Sequence, residues 1–475
     1  MRELKFKDMS RNIFRKIHFV GVGGIGMSGL ADILADRGVD VTGSDTRSNN
    51  LTDMLSLKGA CICRGHHASN VPPDADLLVR SACIGKDNPE IIEARSRGIR
   101  VISRSEMLKF VLGEYGRSAG VTGTHGKTTT SGAVSYIADA AGIDPTLVIG
   151  GEMPRFGGNS RSGRGDLIVA EVDESDGLFR EISVTHALVT NIEREHMENY
   201  GTMRNLTDAY RSFIENIPPQ GVLVFNGDDG VLAGLSGRAR SEKISYGFSE
   251  KCDASCRIRE YRSRIEFDMF FRGRPVGTIR SPLVGIHNAG NILGAAALCL
   301  ALGIDKRDVL KGAELFSGVK RRFDTVGKVG NIRVIEDYAH HPTELRSVIK
   351  AAKDFSRGRV LAVFQPHRYS RTLDLESEFS ECFYGSDVFF LTDIYSADED
   401  PSASPGIARL FDSIDKSRFE IARMVKKENV TEELCEIVRE DDVVLVLGAG
   451  DIRDISPGLT QAIRKRYGSA VSNAT

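Results

Sequence analysis

Short apolar segments alternate with stretches of helical length along the chain. The first hundred residues contain four such segments, "IHFVGV", "DVTGSD", "DLLVRSA" and "RVISRSE", and a stretch long enough for a helix separates each from the next. This alternation is typical of parallel β-sheets joined by crossover helices. The pattern therefore predicts an α/β fold.

Breaks in this pattern divide the chain of 475 residues into three predicted domains. We expect a Rossmann-like N-terminal domain over residues 1–116, a central P-loop ATPase-type α/β domain over 117–318 and a C-terminal Rossmann-like α/β domain over 319–475. The segment "GEYGRS" (Gly113–Ser118) predicts a linker, and "SGVKRRFD" predicts a hinge near Ser317–Lys320. Alternation over residues 258–280 predicts an antiparallel edge on the central domain.

Composition narrows the class of protein. The chain is 41% hydrophobic and 27% charged with a formal net charge of −2, so no basic excess favours nucleic acid. The longest apolar run, "ILGAAALCLALGI", is too short to span a bilayer, and the charged start "MRELKFKDMSRNIFRKIHFV" lacks the apolar core of a signal peptide. Eight cysteines show no zinc-site spacing. We expect a cytoplasmic protein with reduced thiols and no nucleic-acid or membrane partner.

A glycine-rich loop, "GVGGIGMSGL", directly follows the first strand. It contains Gly21-x-Gly23-x-x-Gly26, and Asp45 lies 19 residues after Gly26. This spacing matches the dinucleotide-binding fingerprint, in which a helix N-terminus holds a diphosphate. Taken alone, the loop predicts an NAD-dependent dehydrogenase.

A second glycine-rich loop, "VTGTHGKTTTS", also connects an apolar strand to a helical stretch. Its backbone N–H groups suit phosphate oxygens, Lys127 would reach the outer phosphates, and the Thr128 hydroxyl would bind Mg²⁺. The loop is shorter than the usual pattern, since Val121 occupies the position of the first glycine. The predicted nucleotide-binding residues of this loop are Gly123, Thr124, His125, Gly126, Lys127, Thr128 and Thr129.

Acidic residues and a histidine follow the next strands. In "DLIVAEVDESD" the strand ends at Glu171, and Asp173, Glu174 and Asp176 come after it, while His196 follows the strand of "HALVTNIEREH". Since the carboxyl ends of parallel strands meet at one sheet edge, these side chains should lie near the Lys127 loop. The pattern predicts magnesium ligands there.

Together these motifs resemble the Mur ligase family, the ATP-dependent amide ligases of peptidoglycan precursor synthesis. The resemblance covers nearly the whole chain, with "GTHGKTT", "EVDESD", "TNIEREHMENY", "HNAGN", "RRFD", "DYAHHPTE" and "PHRYSRT" in the family's order. It implies that Thr128, Glu171 and His196 hold Mg²⁺, with Mn²⁺ as an alternative. For ATP it implies that Lys127 contacts the β- and γ-phosphates and that Arg322 approaches the γ-phosphate from the far side. It also implies that Asn288 and Asn291 meet the adenine with His287 nearby, and that Asp337 lines the nucleotide cleft from the third domain.

The resemblance also implies two substrate sites. The first glycine loop would hold the diphosphate of a UDP-sugar in place of NAD, with Asp45 and Ser81 near the uridine. The loop residues concerned are Gly23, Gly24, Ile25, Gly26, Met27 and Ser28. A pocket for L-alanine and the lactyl carboxylate would be formed by His340, His341, His367, Arg368 and Arg371.

The sequence departs from the family pattern at two points, and the first of them bears on the substrate. Several relatives that act later in the pathway carry a carbamoylated lysine after the metal-binding histidine, but no lysine lies between Asn191 and Arg240 here. The corresponding segment carries Arg211 and Phe213, which favours the alanine-adding branch. The late motif "GAGDI" has Asp451 where we expect asparagine.

The implied reaction joins L-alanine to the lactyl carboxylate of UDP-N-acetylmuramate through an acyl phosphate, with domain closure and with His196 or the His340–His341 pair as base. We expect a monomer or weak homodimer. Three other enzyme functions remain open: a ligase that adds murein tripeptide, folylpolyglutamate synthetase (which typically lacks the first glycine-loop domain) and the dehydrogenase. A nucleotide-gated binding protein without turnover is the non-enzymatic alternative.

Overall fold

The computed structural model describes residues 14–397, 399–400 and 406–471. Residues 1–13, most of the charged start in which no signal peptide is expected, lie outside the described residues. The chain forms two compact units: unit 1 comprises Met1–Arg259, Glu266–Ser281 and Gly290–Ser317, and unit 2 comprises Glu260–Ile265, Pro282–Ala289 and Gly318–Thr475. The chain passes into its final segment at Ser317–Gly318, where the sequence predicts a hinge. None of the described helices is both long and apolar enough to cross a membrane.

The first sheet of unit 1 has five parallel strands in the order β3-β2-β1-β4-β5. The order reverses beside β1, so the loop that follows β1 lies at the switch point where doubly wound sheets bind ligands. The elements are β1 (Lys16–Val20), α1 (Ile25–Asp36), β2 (Asp40–Asp45), α2 (Asn50–Leu57), β3 (Cys61–Arg64), β4 (Leu77–Arg80), α3 (Pro89–Ser96), β5 (Arg100–Ser103) and α4 (Arg104–Leu112).

The second sheet of unit 1 has ten strands. Its elements are β6 (Arg117–Thr122), α5 (Lys127–Ala140), β7 (Thr146–Met153), β8 (Gly158–Arg161), β9 (Leu167–Glu171), β10 (His186–Val189), α6 (Met197–Tyr200), α7 (Met203–Glu215), β11 (Val222–Asn226), α8 (Gly230–Ser236), β12 (Glu242–Gly247), β13 (Ala254–Glu260), β14 (Ile265–Phe271), β15 (Arg274–Ser281), α9 (Ile286–Ala301) and α10 (Lys306–Leu315). The strand order is β15-β14-β13-β12-β11-β10-β6-β9-β7-β8. Since β6 pairs in parallel with both β9 and β10, the carboxyl ends of these three strands are neighbours.

Contacts within unit 1 shorten the predicted linker and show where the predicted edge strands lie. The predicted linker Gly113–Ser118 is shorter than expected, because Arg117 and Ser118 already pair with β9 as the first residues of β6. Strands β13 to β15 lie at one edge of the ten-stranded sheet, where the alternating pattern predicts edge strands. Helix α1 packs against β7 and β8, and the amide of Asn159 donates to the Ile25 carbonyl at 2.5 Å, so the two sheets are joined beside the first glycine loop.

The sheet of unit 2 has six strands in the order β16-β17-β21-β18-β19-β20, and only β16 runs antiparallel to its neighbour. Its elements are β16 (Asp324–Val329), β17 (Ile332–Asp337), α11 (Pro342–Phe355), β18 (Val360–Phe364), α12 (Tyr369–Asp374), α13 (Glu376–Cys382), β19 (Val388–Leu391), α14 (Ile407–Ser413), β20 (Ile421–Met424), α15 (Val430–Ile437), β21 (Val443–Leu447) and α16 (Ser456–Val471). Strands β18, β19 and β21 are buried along their length. Both units therefore confirm the predicted α/β class.

Candidate active site

The Lys127 loop connects the central strand β6 to helix α5, as the sequence predicts. Gly123 and Gly126 both have positive φ angles, 131° and 80°. A Cβ at Gly123 would collide with the Thr190 hydroxyl, and one at Gly126 would collide with the amide oxygen of Asn291, so both positions require glycine. The His125 N–H donates to the Asn191 side chain at 2.8 Å, which fixes the loop to the residues that follow β10.

Lys127 folds back onto its own loop. Its Nζ donates to the carbonyl oxygens of Gly123 at 2.6 Å and Thr124 at 3.0 Å, and it lies 2.9 Å from an oxygen of Glu174. Burial acts to lower the pKa of Lys127, but the charges of Glu174, Asp173 and Glu171 outweigh it and raise the pKa above its ordinary value. Lys127 is therefore a fixed cation within its own loop.

An acidic cluster lies beside this lysine. Ligand atoms of Asp173, Glu174 and His196 lie within 4.8 Å of one another. Burial acts to raise the pKa of Asp173, yet the charges of Arg104, Lys127 and His196 hold it well below its usual range. Burial raises the pKa of Glu174 despite the opposing charge of Lys127. Burial acts to lower the pKa of His196, but the neighbouring carboxylates, Glu198 and Glu174 foremost, raise it.

The three predicted metal ligands lie around the same sheet edge in different environments. Thr128 is buried in the first turn of α5, Glu171 ends β9 and accepts a hydrogen bond from the Gly150 N–H at 3.0 Å, and His196 precedes α6 with a φ of 57°. Asp173 and Glu174 belong to the cluster as well, although the family resemblance implies only Glu171 among these acids as a metal ligand. Their signal was the run of acids after Glu171. Carboxylates with a hydroxyl form a donor set that suits a hard divalent cation.

The residues expected near adenine are divided between the two units. In unit 1, the Asn291 side chain lies against Gly126 of the Lys127 loop. In unit 2, the Asn288 amide donates to the Val284 carbonyl at 2.9 Å, and burial lowers the pKa of His287 to about 4 against the opposing charge of Glu344. His287 is therefore a neutral imidazole at pH 7.

Asp337 ends β17 in unit 2 and is buried. Its carboxylate accepts hydrogen bonds from the N–H groups of Phe323 and Ala339, each at 2.7 Å. Burial raises its pKa to about 6, although the Arg322 guanidinium acts to lower it. The Arg322 guanidinium lies 5.1 Å from the centre of the Tyr338 ring.

Three of the predicted alanine-pocket residues gather after β17 and β18. The His340 and His367 rings are 6.1 Å apart, and Arg371 donates to the His367 carbonyl at 3.1 Å. The Tyr395 ring stacks on His367 at 5.6 Å and 14°. Tyr395 follows β19 in a segment without a recognisable motif, so no pattern in the sequence marks it as a contact of this pocket.

His341 and Arg368 have structural contacts of their own. The Nδ1 of His341 accepts a hydrogen bond from the Thr343 N–H at 3.3 Å and caps α11, and the side chain is buried. Arg368 has a φ of 71°, and its N–H donates to the Tyr395 carbonyl at 2.8 Å.

The first glycine loop forms the turn from β1 into α1. The Gly23 N–H donates to Asp45 at 2.9 Å, and a Cβ at Gly21 would lie 3.0 Å from that of Ser81, so both predicted uridine-end residues border the loop. Gly24 precedes the helix, which begins at Ile25. Met27 and Ser28 are buried, so they face the core and not the open side of the loop.

The chain belongs to the Mur ligase family. Models of the Mur ligase family catalytic domain, the Mur ligase middle domain and the Mur ligase glutamate ligase domain match residues 16–115, 121–299 and 321–450.

Within the family, the chain is similar over nearly its full length to proteins named UDP-N-acetylmuramate–L-alanine ligase. It is 40% identical to the one from Geotalea daltonii (95% of this chain, 98% of the relative) and 41% identical to the one from Sorangium cellulosum (95% and 97%). A crystal structure of UDP-N-acetylmuramate–alanine ligase from Thermotoga maritima matches with a TM-score of 0.79 at 30% identity, covering 96% of this chain and 99% of that one. A murein peptide ligase from Psychrobacter arcticus shares the fold, with a TM-score of 0.71 at 21% identity over 94% of this chain and 98% of its own.

Proposed function

We propose that this chain is an ATP-dependent ligase that joins L-alanine to the lactyl carboxylate of UDP-N-acetylmuramate and releases ADP and phosphate, a step of peptidoglycan precursor synthesis. The observation that carries the proposal is the folded phosphate loop, with Lys127 against the Asp173–Glu174–His196 cluster at the edge of the sheet. The full-length similarity to the alanine ligases supports the choice of amino acid.

In the first half-reaction the lactyl carboxylate oxygen bonds to the γ-phosphorus of ATP, the bond to the β,γ-bridging oxygen breaks, and ADP leaves. This transfer needs placement and charge neutralisation more than covalent help. Loop N–H groups and Lys127 supply both from unit 1, and Arg322 supplies a second cation from unit 2. A bound Mg²⁺ or Mn²⁺, held by Thr128, Glu171 and His196 beside Asp173 and Glu174, would neutralise phosphate oxygens.

In the second half-reaction the neutral amine of L-alanine bonds to the acyl carbon, and phosphate leaves. A base must first accept a proton from the ammonium group. His341 is a poor base, because its Nδ1 already accepts the Thr343 N–H, which leaves Nε2 as the protonated nitrogen. The Nδ1 of His340 lies 3.0 Å from the Tyr338 carbonyl, so that nitrogen carries the hydrogen and the lone pair is on Nε2. Of this pair we therefore propose His340 as the base, while His196, the third candidate, would hold the metal instead.

A coupled assay of ADP release tests the function. ADP should form only when UDP-N-acetylmuramate and L-alanine are both present with ATP. Equal rates with and without L-alanine would contradict the proposal, and stimulation by murein tripeptide in place of L-alanine would identify the tripeptide ligase instead. Lys127→Ala should lose turnover, whereas Lys243→Ala, an exposed lysine on β12 of the same sheet, should keep it.

The proposed reaction uses side chains of both units, so we expect them to approach each other during turnover and to exclude water from the acyl phosphate. X-ray scattering curves recorded with and without ATP analogue and UDP-N-acetylmuramate should differ. Identical curves would argue against closure about Ser317–Lys320. Since ATP and UDP-sugars are substrates found in the cytoplasm, we propose a cytoplasmic enzyme. We also expect this enzyme to be a monomer or a weak homodimer.

The dehydrogenase hypothesis depends on the first loop alone. Asp45, the acid expected to bind an NAD ribose, is engaged by the Gly23 N–H. Saturable NADH binding in an absorbance titration at 340 nm would revive that hypothesis.

A further inference from the structure

Arg104, the first residue of α4, lies between the two glycine loops of unit 1. A Cβ at Gly26 of the first loop would lie 2.8 Å from Nη1 and 3.1 Å from Cδ of this arginine. On its other side, Nη2 donates to a carboxylate oxygen of Asp173 at 2.9 Å. The guanidinium therefore packs against the backbone of the first loop while it pairs with the acidic cluster of the second.

Several contacts fix the arginine in this position. Ser103 caps α4, since its hydroxyl accepts the Glu106 N–H at 3.1 Å while Glu106 accepts the Ser103 N–H at 2.7 Å. The next residue, Ser105, donates from its hydroxyl to Asp176, so the start of α4 is also held by the segment that carries the acids. The Arg104 side chain is only 15% exposed.

The charges around Arg104 are arranged for more than one anion. Asp173 also accepts hydrogen bonds from the backbone and hydroxyl of Ser175 at 3.0 and 2.8 Å, so it does not depend on the arginine alone. A guanidinium offers five N–H donors in a fixed fork and can serve two anions at once. With Nη2 on Asp173, the Nη1 edge faces the Gly26 backbone, at the N-terminus of α1, where an anion on the loop would lie.

We propose that Arg104 binds the diphosphate of the UDP-sugar through its Nη1 edge while Nη2 keeps Asp173. Arg104 is thus a substrate-binding residue shared with the acidic cluster of the ATP loop. This inference rests on the proposed function, in which the first loop holds that diphosphate. It also accounts for Gly26, because any side chain there would push the guanidinium away.

Calorimetric titration of the full chain with UDP-N-acetylmuramate, UDP, UMP and ADP tests the assignment. Hydrogen bonds to charged groups contribute about 1.5–3 kcal/mol, so Arg104→Ala should raise the Kd of UDP-N-acetylmuramate and of UDP roughly 10- to 150-fold. Arg104→Lys should recover part of the loss, because it keeps the charge without the fork. The Kd of ADP should change less than about twofold. Arg95→Ala, an exposed arginine on α3 of the same sheet, should leave every Kd unchanged.

The ratio of the UDP and UMP affinities separates a phosphate contact from a structural role. Loss of a diphosphate contact should make Arg104→Ala bind UDP little better than UMP. If both affinities fall by the same factor, or if the Kd of UDP-N-acetylmuramate stays within twofold of the wild type, the inference is wrong. If the wild-type chain does not bind UDP-N-acetylmuramate at all, the proposed function fails instead.

Discussion

Replacing Glu90 with leucine should destabilise unit 1 by several kcal/mol, because this carboxylate is buried on α3 and serves as the common acceptor of the first sheet. One oxygen accepts from Nε2 of His18 at 2.8 Å and from the Ser44 hydroxyl at 2.7 Å. The other accepts from the His67 N–H at 3.1 Å and the Asn70 amide at 3.0 Å. Leucine has a similar volume but would leave these buried donors without an acceptor.

The size of the loss follows from these contacts. Removing one partner from a buried charged network costs about 3–5 kcal/mol, and each stranded donor about 1–3 kcal/mol. Unit 1 spans about 300 residues. With an unfolding entropy of ~2.1 cal/mol/K per residue, a loss of about 3–5 kcal/mol should lower its unfolding temperature by roughly 5–8 °C. The chain contains no tryptophan, so calorimetry or circular dichroism is the suitable measurement.

The Glu90 carboxylate should also make the stability of unit 1 depend on pH. Burial acts to raise the pKa of Glu90, but hydrogen bonds from His18, Ser44 and Asn70 outweigh it and lower the pKa below the ordinary value. The folded state then binds fewer protons than the unfolded state, so this stabilisation is present above about pH 4.3 and is lost as pH falls through the lowered pKa. The difference in melting temperature between wild type and Glu90→Gln should therefore narrow only below about pH 4.

A matched substitution on the same helix is the control. Glu93 is partly exposed and forms a surface ion pair with Arg97 at 3.6 Å, so Glu93→Gln should change the free energy of unfolding by less than about 0.5 kcal/mol. A Glu90→Leu protein that melts within 1 °C of the wild type would refute the reasoning.

Three further predictions concern the candidate active site. Gly126→Ala should weaken ADP binding at least about tenfold in a calorimetric titration, since the new Cβ would collide with the Asn291 amide. The control Gly142→Ala has a similar positive φ but open space around it, so it should keep the wild-type Kd and lose about 1–2 kcal/mol of stability. Folding raises the pKa of Asp337 to about 6, so between about pH 4 and 6 the folded state binds more protons at this carboxyl group than the unfolded state does. Relative to Asp337→Asn, the wild type should lose on the order of 3 kcal/mol of stability as pH rises through this range, and parallel melting curves would contradict that. Tyr395→Ala removes the ring that stacks on His367, so it should raise the KM for L-alanine about 2- to 10-fold in the ADP-release assay. Tyr395→Phe keeps the ring and should retain the wild-type KM.

The two strand–loop–helix motifs, one around each glycine-rich loop, could be predicted from the sequence because their signals are local. An apolar strand, glycines at fixed spacing and a helical stretch specify each turn within about a dozen residues. Glu171 and His196 could be predicted at one edge because parallel strands bring their carboxyl ends together.

Contacts between distant segments had no such signal. Arg104 meets an acid that follows it by 69 residues, and nothing in "RSEMLKF" marks it as a contact residue. His340 and His341 are adjacent in sequence, yet Nδ1 of the second caps α11, because backbone direction at a helix start separates neighbouring side chains. Asp451, where asparagine is expected, forms an ion pair with Lys427 at 2.6 Å, a contact between segments 24 residues apart.

The ion pair between Lys127 and Glu174 bears on how the enzyme releases its product. Because Glu174 and two carbonyl oxygens already hold the ammonium group, the lysine is dehydrated when the chain folds and not when ATP arrives. In the proposed function, Glu174 and the nucleotide phosphates compete for Lys127, so the affinity for nucleotide reflects the difference between these two interactions. ADP keeps the β-phosphate but lacks the γ-phosphate, so after transfer we expect Glu174 to regain part of its contact with Lys127. Under the proposed function, this competition favours the departure of ADP and returns the loop to the state that accepts the next ATP.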